Sequence, residues 1–254
     1  MLGDTASALA GARAAVAREV PVAHVEAGLR TGDLTDPWPE EAYRVEIDRL
    51  ATYRYCPTDA NRANLVAESL DGLTTGNTIT DALRLMGVTR TYGKHVLVTL
   101  HRRESFGEPM ENILRGLGEA AARQPDVPFC FPVHPNPQVR AQVARWRRPK
   151  NLVLGGPLPY RDFLTFLSSA RAVLTDSGGV IEEAATLGVA TVIARNHTER
   201  PECVGQTAQL VGTRASAVWE GLDWALTTPV EPSAVFGDGY AADRIANEMF
   251  GQAF

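Results

Sequence analysis

The sequence predicts an α/β protein with two Rossmann-like domains, of which the first is incomplete. Short β-rich runs that are apolar on both faces alternate with amphipathic helical patterns, and this alternation is typical of a parallel sheet covered by helices on both sides. The length of 254 residues suits one large domain or two ordinary ones. The chain is 44% hydrophobic and 22% charged, which indicates a globular protein with a buried core.

The first domain is predicted at residues 1–88. Met1-Leu2 looks like the tail of a strand, and Gly3-Asp4-Thr5 looks like the turn into a helix. Strands are then predicted at 21–27 and 53–57, and helices at about 5–18, 38–52 and 58–69. Because a domain that begins at the end of a strand lacks what came before it, we expect an upstream segment to be missing.

The second domain is predicted at residues 89–235, after a linker-like stretch near 85–95. Amphipathic helical patterns separate most of its strands, so we expect a complete Rossmann-like domain. Its strands are predicted at 96–100, 129–133, 152–156, 172–176, 191–194 and 208–212. Residues 236–254 contain a glycine turn and an amphipathic helical pattern, and we expect this helix to pack back towards the first domain.

The overall charge and the cysteines restrict the possible partners and compartments. A net charge of −5 and a pI near 5.6 argue against a nucleic-acid surface, which needs a basic face. No apolar run is long enough to cross a bilayer. The three cysteines are far apart and lack metal-type spacing, which is typical of buried thiols in a reducing compartment. We therefore predict a cytoplasmic protein with no metal and with neither nucleic acid nor membrane as a partner.

Polar clusters directly follow four strands of the second domain. In an open α/β sheet, ligands bind outside the carboxyl ends of the strands, so the four clusters are expected to converge on one edge. The clusters occupy residues 101–104, 134–137, 177–179 and 195–202.

The segment DSGGVIEEA (176–184) joins a strand end, two glycines and the start of a helix. Gly178 and Gly179 let the backbone approach a ligand closely, and the helix start offers free N–H groups to a diphosphate. Glu183 lies further along the helix, where its carboxylate suits the two vicinal hydroxyls of a ribose. The alternative is a glycine turn whose acidic residues only complement the helix dipole.

Basic residues at the same edge have two interpretations each. His101, Arg102 and Arg103 either hold phosphate oxygens, the arginines by bidentate contacts, or form a solvated basic turn. His134 is either a capping residue or a ligand contact. Arg200 is either a further contact for the diphosphate or part of an interdomain salt bridge.

Three carboxylates are the candidate acids and bases of the first domain. Adjacent parallel strands would place Asp4 and Glu26 side by side at one carboxyl edge, and Glu40 opens the next predicted helix. Acids that share a cleft can hold their pKa values apart, so that one acts as a base and another as an acid. The alternatives are structural: Asp4 caps the helix after it, and Glu40 pairs with Arg44. His24, inside an apolar strand, is expected to be a buried core histidine.

Six segments in order carry long, specific motifs: HVEAGLRTGDLTDPWPEEAYR (24–44), TGNTITDAL (75–83), LVTLHRRESFGEP (97–109), PVHPNP (132–137), LTDSGGVIEEA (174–184) and TERPE (198–202). Together they resemble the non-hydrolysing bacterial UDP-N-acetylglucosamine 2-epimerases. The resemblance implies two Rossmann-like domains in the GT-B arrangement and the interconversion of UDP-GlcNAc and UDP-ManNAc. Members of this family remove the C2 proton of the sugar and expel UDP, leaving 2-acetamidoglucal. UDP then adds back after reprotonation of C2 on the opposite face.

The resemblance also implies roles for single residues. The family's catalytic positions correspond to Asp4, Glu26, Glu40 and His101. Its UDP-binding turn and ribose carboxylate correspond to Ser177, Gly178, Gly179 and Glu183, and the arginine that reaches the nucleotide corresponds to Arg200. Positions near the substrate and the regulatory UDP-GlcNAc correspond to Arg102 and His134. The family mechanism requires no cofactor and no metal, and its members are commonly homodimers.

The chain departs from the family pattern in three places. Family members begin with further βα units, so roughly ninety residues are expected to be missing at about thirty per unit. Ile181 stands where the family often has Gln, and CVGQTAQLVGT (203–213) is slightly shorter than usual. The alternatives to a non-hydrolysing epimerase are a UDP-sugar-binding fragment without turnover, a GT-B glycosyltransferase and a hydrolysing 2-epimerase. The HVEAGLRTGD and HRRE motifs favour the non-hydrolysing branch.

Overall fold

The computed structural model describes residues 1–251, which divide into two compact units. Unit 1 contains Met1–Arg84 together with the chain from Ala234 onward, and unit 2 contains Leu85–Ser233. Unit 2 is therefore one continuous stretch of chain, whereas unit 1 is assembled from two stretches.

Unit 1 contains a small parallel sheet and the helices that follow its strands. In chain order its elements are α1 (Ala6–Val16), β1 (Ala23–Val25), α2 (Glu40–Leu50), β2 (Tyr53–Cys56), α3 (Asp59–Ala67), β3 (Leu73–Thr74) and α4 (Thr78–Leu85). The strand order is β1-β2-β3, and Leu2 forms a parallel bridge to Val25 beside β1. This bridge confirms the predicted strand tail at the start of the chain, and the predicted strands and helices up to residue 69 are all present.

Strand β3 has no counterpart among the strands that the sequence predicts. Leu73 and Thr74 pair in parallel with Tyr55 and Cys56 of β2. A strand of two residues is too short to show the alternation of apolar and polar residues that identifies strands.

Local capping explains where two helices of unit 1 begin. The Thr5 hydroxyl oxygen accepts a hydrogen bond from the Ala8 N–H at 3.2 Å at the start of α1. Thr58 and Asn61 form a capping box at the start of α3. Such caps stabilise a helix by about 1 kcal/mol each. Because Thr5 caps α1, the interpretation of Asp4 as the cap of this helix is wrong.

The predicted core histidine His24 is confirmed, and it belongs to a buried polar cluster around Asp48. Both side chains are fully buried. Asp48 lies 2.6 Å from His24 Nδ1 and accepts hydrogen bonds from Arg30 at 2.7 Å and from the Gly28 N–H at 3.1 Å. His24 Nε2 lies 3.0 Å from the carbonyl oxygen of Gly3. The cluster thus ties α2 to β1 and to the turn that precedes α1.

We expect Asp48→Asn to destabilise unit 1 by about 3–5 kcal/mol at neutral pH, since it breaks a buried ion pair. Burial raises the pKa of Asp48, but His24 and Arg30 outweigh burial and the pKa is lowered. A lowered carboxyl pKa stabilises the fold above the unfolded value of about 3.9, and this contribution is lost as the pH falls. Urea unfolding of both proteins between pH 7 and pH 3 should therefore show a difference that shrinks below about pH 4. A difference that does not change with pH would contradict this account.

Unit 2 is a doubly wound α/β domain with a six-stranded parallel sheet. In chain order its elements are β4 (Val96–Thr99), α5 (Glu108–Arg123), β5 (Phe129–Pro132), α6 (Pro137–Arg145), β6 (Leu152–Gly155), α7 (Tyr160–Ser168), β7 (Ala172–Thr175), α8 (Gly178–Leu187), β8 (Ala190–Ile193), β9 (Ala208–Leu210) and α9 (Ala215–Thr227). The strand order is β6-β5-β4-β7-β8-β9, and all six predicted strands are confirmed. Short helical turns occupy Arg103–Ser105 and Pro201–Cys203.

The strands of unit 2 are continuous apolar runs in the sequence because both faces of the sheet are buried. Val96, Leu97 and Val98 are consecutive residues of β4 and are all fully buried, and so is Val173, which pairs with Leu97 on β7. One apolar cluster includes residues from β4, β7 and β8 together with α5 and α9. Helix α9 was not predicted, although it packs its Val218 and Leu222 into this cluster.

The returning stretch of unit 1 carries the last helix, α10 (Ala241–Phe250), which confirms the predicted closing helix. Asp81 of α4 caps it, because its carboxylate accepts the N–H groups of Ala241 at 2.9 Å and Ala242 at 2.6 Å. Within residues 1–251, none of the helices combines the length and apolarity needed to cross a membrane.

Candidate active site

The carboxyl ends of β4 and β7 mark the point where the strand order of unit 2 reverses. The chain adds β5 and β6 on one side of β4 and then adds β7, β8 and β9 on the other. Ligands of doubly wound sheets bind in the crevice at such a reversal. Asp176 follows β7 at this point, is fully buried, and accepts the backbone N–H groups of His101 at 3.0 Å and Arg102 at 2.9 Å. Asp176 therefore fixes the start of the loop after β4.

His101 lies at this reversal with its side chain 36% exposed. Its Nδ1 is 4.0 Å from Asp176 Oδ1, and its ring centroid is 5.3 Å from that of His134, which is exposed. Burial lowers the pKa of His101 against the opposing charge of Asp176, and Arg102 and His134 lower it further. The ring is therefore neutral near pH 7, and a neutral imidazole can accept or donate a proton.

The start of α8 is shaped as an anion site. Ser177 is the N-cap residue, and its side chain makes no capping hydrogen bond to the helix. The guanidinium of Arg200 lies against Gly178: a Cβ added to Gly178 would be 2.4 Å from Arg200 Nη1 and 2.7 Å from Cζ. A helix N-terminus attracts anions through its N–H groups and its dipole, and the adjacent guanidinium adds a full positive charge.

A buried ion network holds Arg200 in this place. Arg200 pairs with Glu199 at 2.6 Å and with Glu182 of α8 at 2.8 Å. The other oxygen of Glu199 accepts from Arg195 at 2.9 Å, and Arg102 lies 3.4 Å from the same carboxylate. Arg102, Arg195 and Arg200 thus lie around the Glu199 carboxylate, and Glu182 ties Arg200 to α8. Both of these glutamates lie within unit 2, as Arg200 does.

Glu183 lies further along α8 and is 2% exposed. The hydroxyl of Tyr160, at the start of α7, donates a hydrogen bond to Glu183 Oε1 at 2.7 Å. Burial raises the pKa of Glu183 to about 7, although the hydrogen bond from Tyr160 opposes this shift. The carboxyl group therefore changes its charge close to neutral pH.

In unit 1, Asp4 pairs with Arg44 of α2. Arg44 is 2% exposed and also lies 3.2 Å from Glu41, so its i,i+3 partner on the helix is Glu41. Glu40 is the first residue of α2 and is half-buried. The pairing with Arg44 that the sequence allowed for Glu40 is thus made by Glu41 and Asp4.

Glu26 follows β1 and adopts a left-handed backbone conformation with φ of +70°. This conformation is uncommon for a residue other than glycine and costs about 1–3 kcal/mol, and such residues cluster at functional sites. Its Oε1 accepts a hydrogen bond from Asn77 Nδ2 at 2.9 Å. Its Oε2 faces Gly3, where an added Cβ would lie 3.3 Å away. The Glu26 carboxylate therefore lies beside the turn that carries Asp4.

The sequence-predicted residues form two groups, one in each unit. Unit 2 contains His101, Arg102, His134, the Ser177–Gly179 turn, Glu183 and Arg200, and unit 1 contains Asp4, Glu26 and Glu40. Four residues that the sequence did not single out form hydrogen bonds or ion pairs with the predicted site residues: Asp176, Glu199, Tyr160 and Asn77. Asp176 had a signal, since it ends a strand directly before the glycine turn. Among residues 1–251, no group of three or more His, Cys, Asp or Glu could hold a metal ion.

Comparison with known proteins places this arrangement in a family. The family model described as UDP-N-acetylglucosamine 2-epimerase matches residues 1–249. The UDP-N-acetylglucosamine 2-epimerase of Escherichia coli (strain K12) is 40% identical over a 276-residue alignment that covers 97% of this chain and 73% of that protein. The chain belongs to the UDP-N-acetylglucosamine 2-epimerase family.

Solved structures of this family share the fold. UDP-GlcNAc 2-epimerase from Neisseria meningitidis bound to UDP-GlcNAc has a TM-score of 0.89 and 32% identity, covering 98% of this chain and 74% of its own. A UDP co-structure of MnaA from S. aureus gives the same four values. The predicted fold class, α/β with Rossmann-like sheets of the GT-B type, and the predicted epimerase family are therefore confirmed.

Proposed function

We propose that this chain is a non-hydrolysing epimerase that inverts C2 of the sugar and interconverts UDP-GlcNAc and UDP-ManNAc. The observation that carries the proposal is α8, which combines an uncapped N-terminus, a guanidinium against Gly178 and the carboxylate of Glu183. A diphosphate suits the first two features and a ribose diol suits the third. Ligands of this kind are bound by related proteins, as in the UDP-GlcNAc and UDP complexes.

The reaction breaks and remakes two bonds. A base removes the C2 proton while the bond between C1 and the UDP oxygen breaks, which gives UDP and 2-acetamidoglucal. A proton then adds to C2 on the opposite face, and UDP adds back to C1. The two proton transfers occur on opposite faces of the sugar and therefore need separate groups, for which the candidates are Asp4, Glu26, Glu40 and His101.

Unit 2 supplies the groups that stabilise the departing UDP. Ser177, Gly178 and Gly179 would hold the diphosphate with Arg200, and Glu183 would accept the ribose hydroxyls. Arg102 and His134 would contact the substrate beside His101. Cationic groups held in place before the reaction stabilise the charge that develops on the leaving diphosphate.

The remaining parts of the proposal concern the chain as a whole. Residues 1–88 supply the acids, residues 89–235 hold the UDP, and residues 236–254 carry the helix that packs back towards the first domain. The substrates are UDP-GlcNAc and UDP-ManNAc, no cofactor takes part, and the active species is a cytoplasmic homodimer.

Proton NMR of UDP-GlcNAc in D2O, with the chain as given, tests the proposal. The expected result is the anomeric signal of UDP-ManNAc, together with loss of the C2 proton signals as deuterium enters from the solvent. Free ManNAc with UDP would instead show a hydrolysing enzyme. No conversion of UDP-GlcNAc would refute the proposal for this chain.

The affinity for UDP-GlcNAc should rise about tenfold between pH 6 and pH 8 if only ionised Glu183 accepts the ribose hydroxyls. This follows because its pKa lies at about 7 and the ionised form is the better acceptor. UDP-GlcNAc is a diphosphate diester without a proton to lose in this range, so the change reports on the protein. Isothermal titration calorimetry at pH 6, 7 and 8 measures it.

Two variants make this measurement specific. Glu183→Gln should bind more weakly and lose most of the pH dependence. Tyr160→Phe removes a hydrogen bond that lowers the pKa of Glu183, so the midpoint should move to higher pH. An unchanged pH dependence in Glu183→Gln would show that another group causes it.

A further inference from the structure

The buried side chain of Asn77 contacts the Glu26 carboxylate. Asn77 is 2% exposed, and its Nδ2 donates a hydrogen bond to Glu26 Oε1 at 2.9 Å. The other end of the amide, Oδ1, accepts the N–H of Ile79 in the first turn of α4 at 3.1 Å. Because a backbone N–H can only donate, this second contact determines which end of the amide faces Glu26.

The stretch of chain that returns to unit 1 holds Asn77 in place. The Asn77 N–H donates to the carbonyl oxygen of Phe236 at 2.7 Å. Gly76 and Gly237 meet backbone to backbone, since a Cβ added to Gly237 would lie 2.9 Å from the Gly76 Cα. Gly76 has a φ of +88° and Gly237 a φ of +113°, so both positions also require glycine for their conformation. Asn77 therefore has little freedom to move relative to Glu26.

The Glu26 carboxylate lies between Asn77 and the turn at Gly3. The backbone of Glu26 is held in the left-handed region, and Oε2 faces Gly3. Asp4 follows Gly3 in the chain and is paired with Arg44. A donor that faces a carboxylate stabilises the ionised form and also fixes the orientation of the group.

We propose that Asn77 is a positioning residue for epimerisation: its side-chain N–H donates to the Glu26 carboxylate and orients it for proton transfer. This inference rests on the proposed function, because Glu26 is one of the acid–base groups there. Asn77 acts through Glu26 and needs no contact with the substrate.

The substitution Asn77→Asp tests this role because it changes the donor and little else. Aspartate has the size of asparagine and can still accept the Ile79 N–H at the start of α4. It places a carboxylate oxygen where Glu26 now accepts a hydrogen bond. When two carboxylates share a site, repulsion between their charges raises the pKa of one of them. The acidic limb of the kcat–pH profile should therefore shift to higher pH by about one pH unit or more. At a fixed pH on that limb, kcat should fall about tenfold. The KM for UDP-GlcNAc should change less, since the UDP groups belong to unit 2.

Two further variants serve as controls. Asn64→Asp is the matched control: it lies in the same unit, and its Nδ2 donates at 3.0 Å to a backbone carbonyl, that of Gly28, and not to an acid. It should leave the acidic limb in place. Asn77→Ser keeps an N-cap hydroxyl but is too short to reach Glu26, so it should shift the limb in the same direction by a smaller amount.

A direct titration of Glu26 makes the test independent of turnover. Carbon-13 NMR of the chain labelled at glutamate side-chain carboxyls, with Glu26→Gln to assign the signal, gives the midpoint in each variant. The expected result is a higher midpoint in Asn77→Asp and no change in Asn64→Asp. An unchanged Glu26 midpoint overturns the inference, and so does a raised midpoint with an unmoved kcat limb. If the wild-type chain shows no epimerisation, the proposed function fails, and the titration alone decides whether Asn77 controls Glu26.

Discussion

Replacing Glu26 with glutamine should lower kcat for epimerisation by about 10²–10⁴-fold, the usual contribution of a positioned acid–base group. Glutamine has the size of glutamate, and its side-chain oxygen can still accept the N–H of Asn77. It cannot take up or release a proton near neutral pH, so only the proton transfer is removed. The rate of UDP-ManNAc formation and the rate of deuterium entry at C2 should fall together.

The matched control for this substitution is Glu46→Gln on α2. Glu46 is 40% exposed and pairs with Arg13, and exposed pairs of this kind contribute about 0–1 kcal/mol. The control should keep the wild-type kcat. UDP affinity should stay close to wild type in both variants, because the groups proposed to bind UDP belong to unit 2 and both substitutions lie in unit 1. A kcat within twofold of wild type in Glu26→Gln would exclude Glu26 as an acid–base group.

The second large effect is expected for Gly178→Ala, which should weaken UDP binding about 10- to 100-fold. The added methyl would lie 2.4 Å from Arg200 Nη1, and Arg200 cannot simply swing away because Glu182 and Glu199 hold it. Displacing the guanidinium would remove the charged hydrogen bond that Arg200 is proposed to donate to the diphosphate, and such a bond is worth about 1.5–3 kcal/mol. Isothermal titration calorimetry with UDP measures the change in the dissociation constant.

Gly156→Ala is the control for the same chemical change. Gly156 also follows a strand of unit 2, and a Cβ there would meet no atom within 4 Å. This variant should bind UDP as the wild type does. Equal UDP affinities for Gly178→Ala and wild type would mean that Arg200 does not contact the nucleotide.

The sequence predicted most of the fold because the strands of unit 2 are buried on both faces. Val96–Thr99 and Ala172–Thr175 are apolar runs between amphipathic helices, a pattern visible without any tertiary information. Strand β3 could not be predicted because Leu73 and Thr74 owe their conformation to pairing with β2. Helix α9 differs, since Val218 and Leu222 have helical spacing and therefore a local signal in the sequence.

The candidate site was predictable only where polar or glycine residues directly follow a strand in the sequence. His101 and the Ser177–Gly179 turn directly follow β4 and β7, and the direction of a parallel sheet brings them to one edge. Tyr160 is 23 positions from Glu183, and Glu199 is 97 positions from Arg102. Contacts between residues so far apart in the sequence depend on how whole helices and strands pack, and no local sequence pattern predicts them.

Unit 1 is assembled from two separate stretches of chain, and this determines the order in which the two units can fold during translation. Unit 2 is contiguous, so all of residues 85–233 can fold once they have left the ribosome. Unit 1 must wait for Phe236 and Gly237, whose contacts hold Asn77, and for the cap that Asp81 provides to α10. At about 5–20 residues per second, unit 2 alone takes on the order of ten seconds to synthesise. A nascent chain would therefore complete unit 2 first, and the carboxylate at position 26 would gain its final geometry only as synthesis ends.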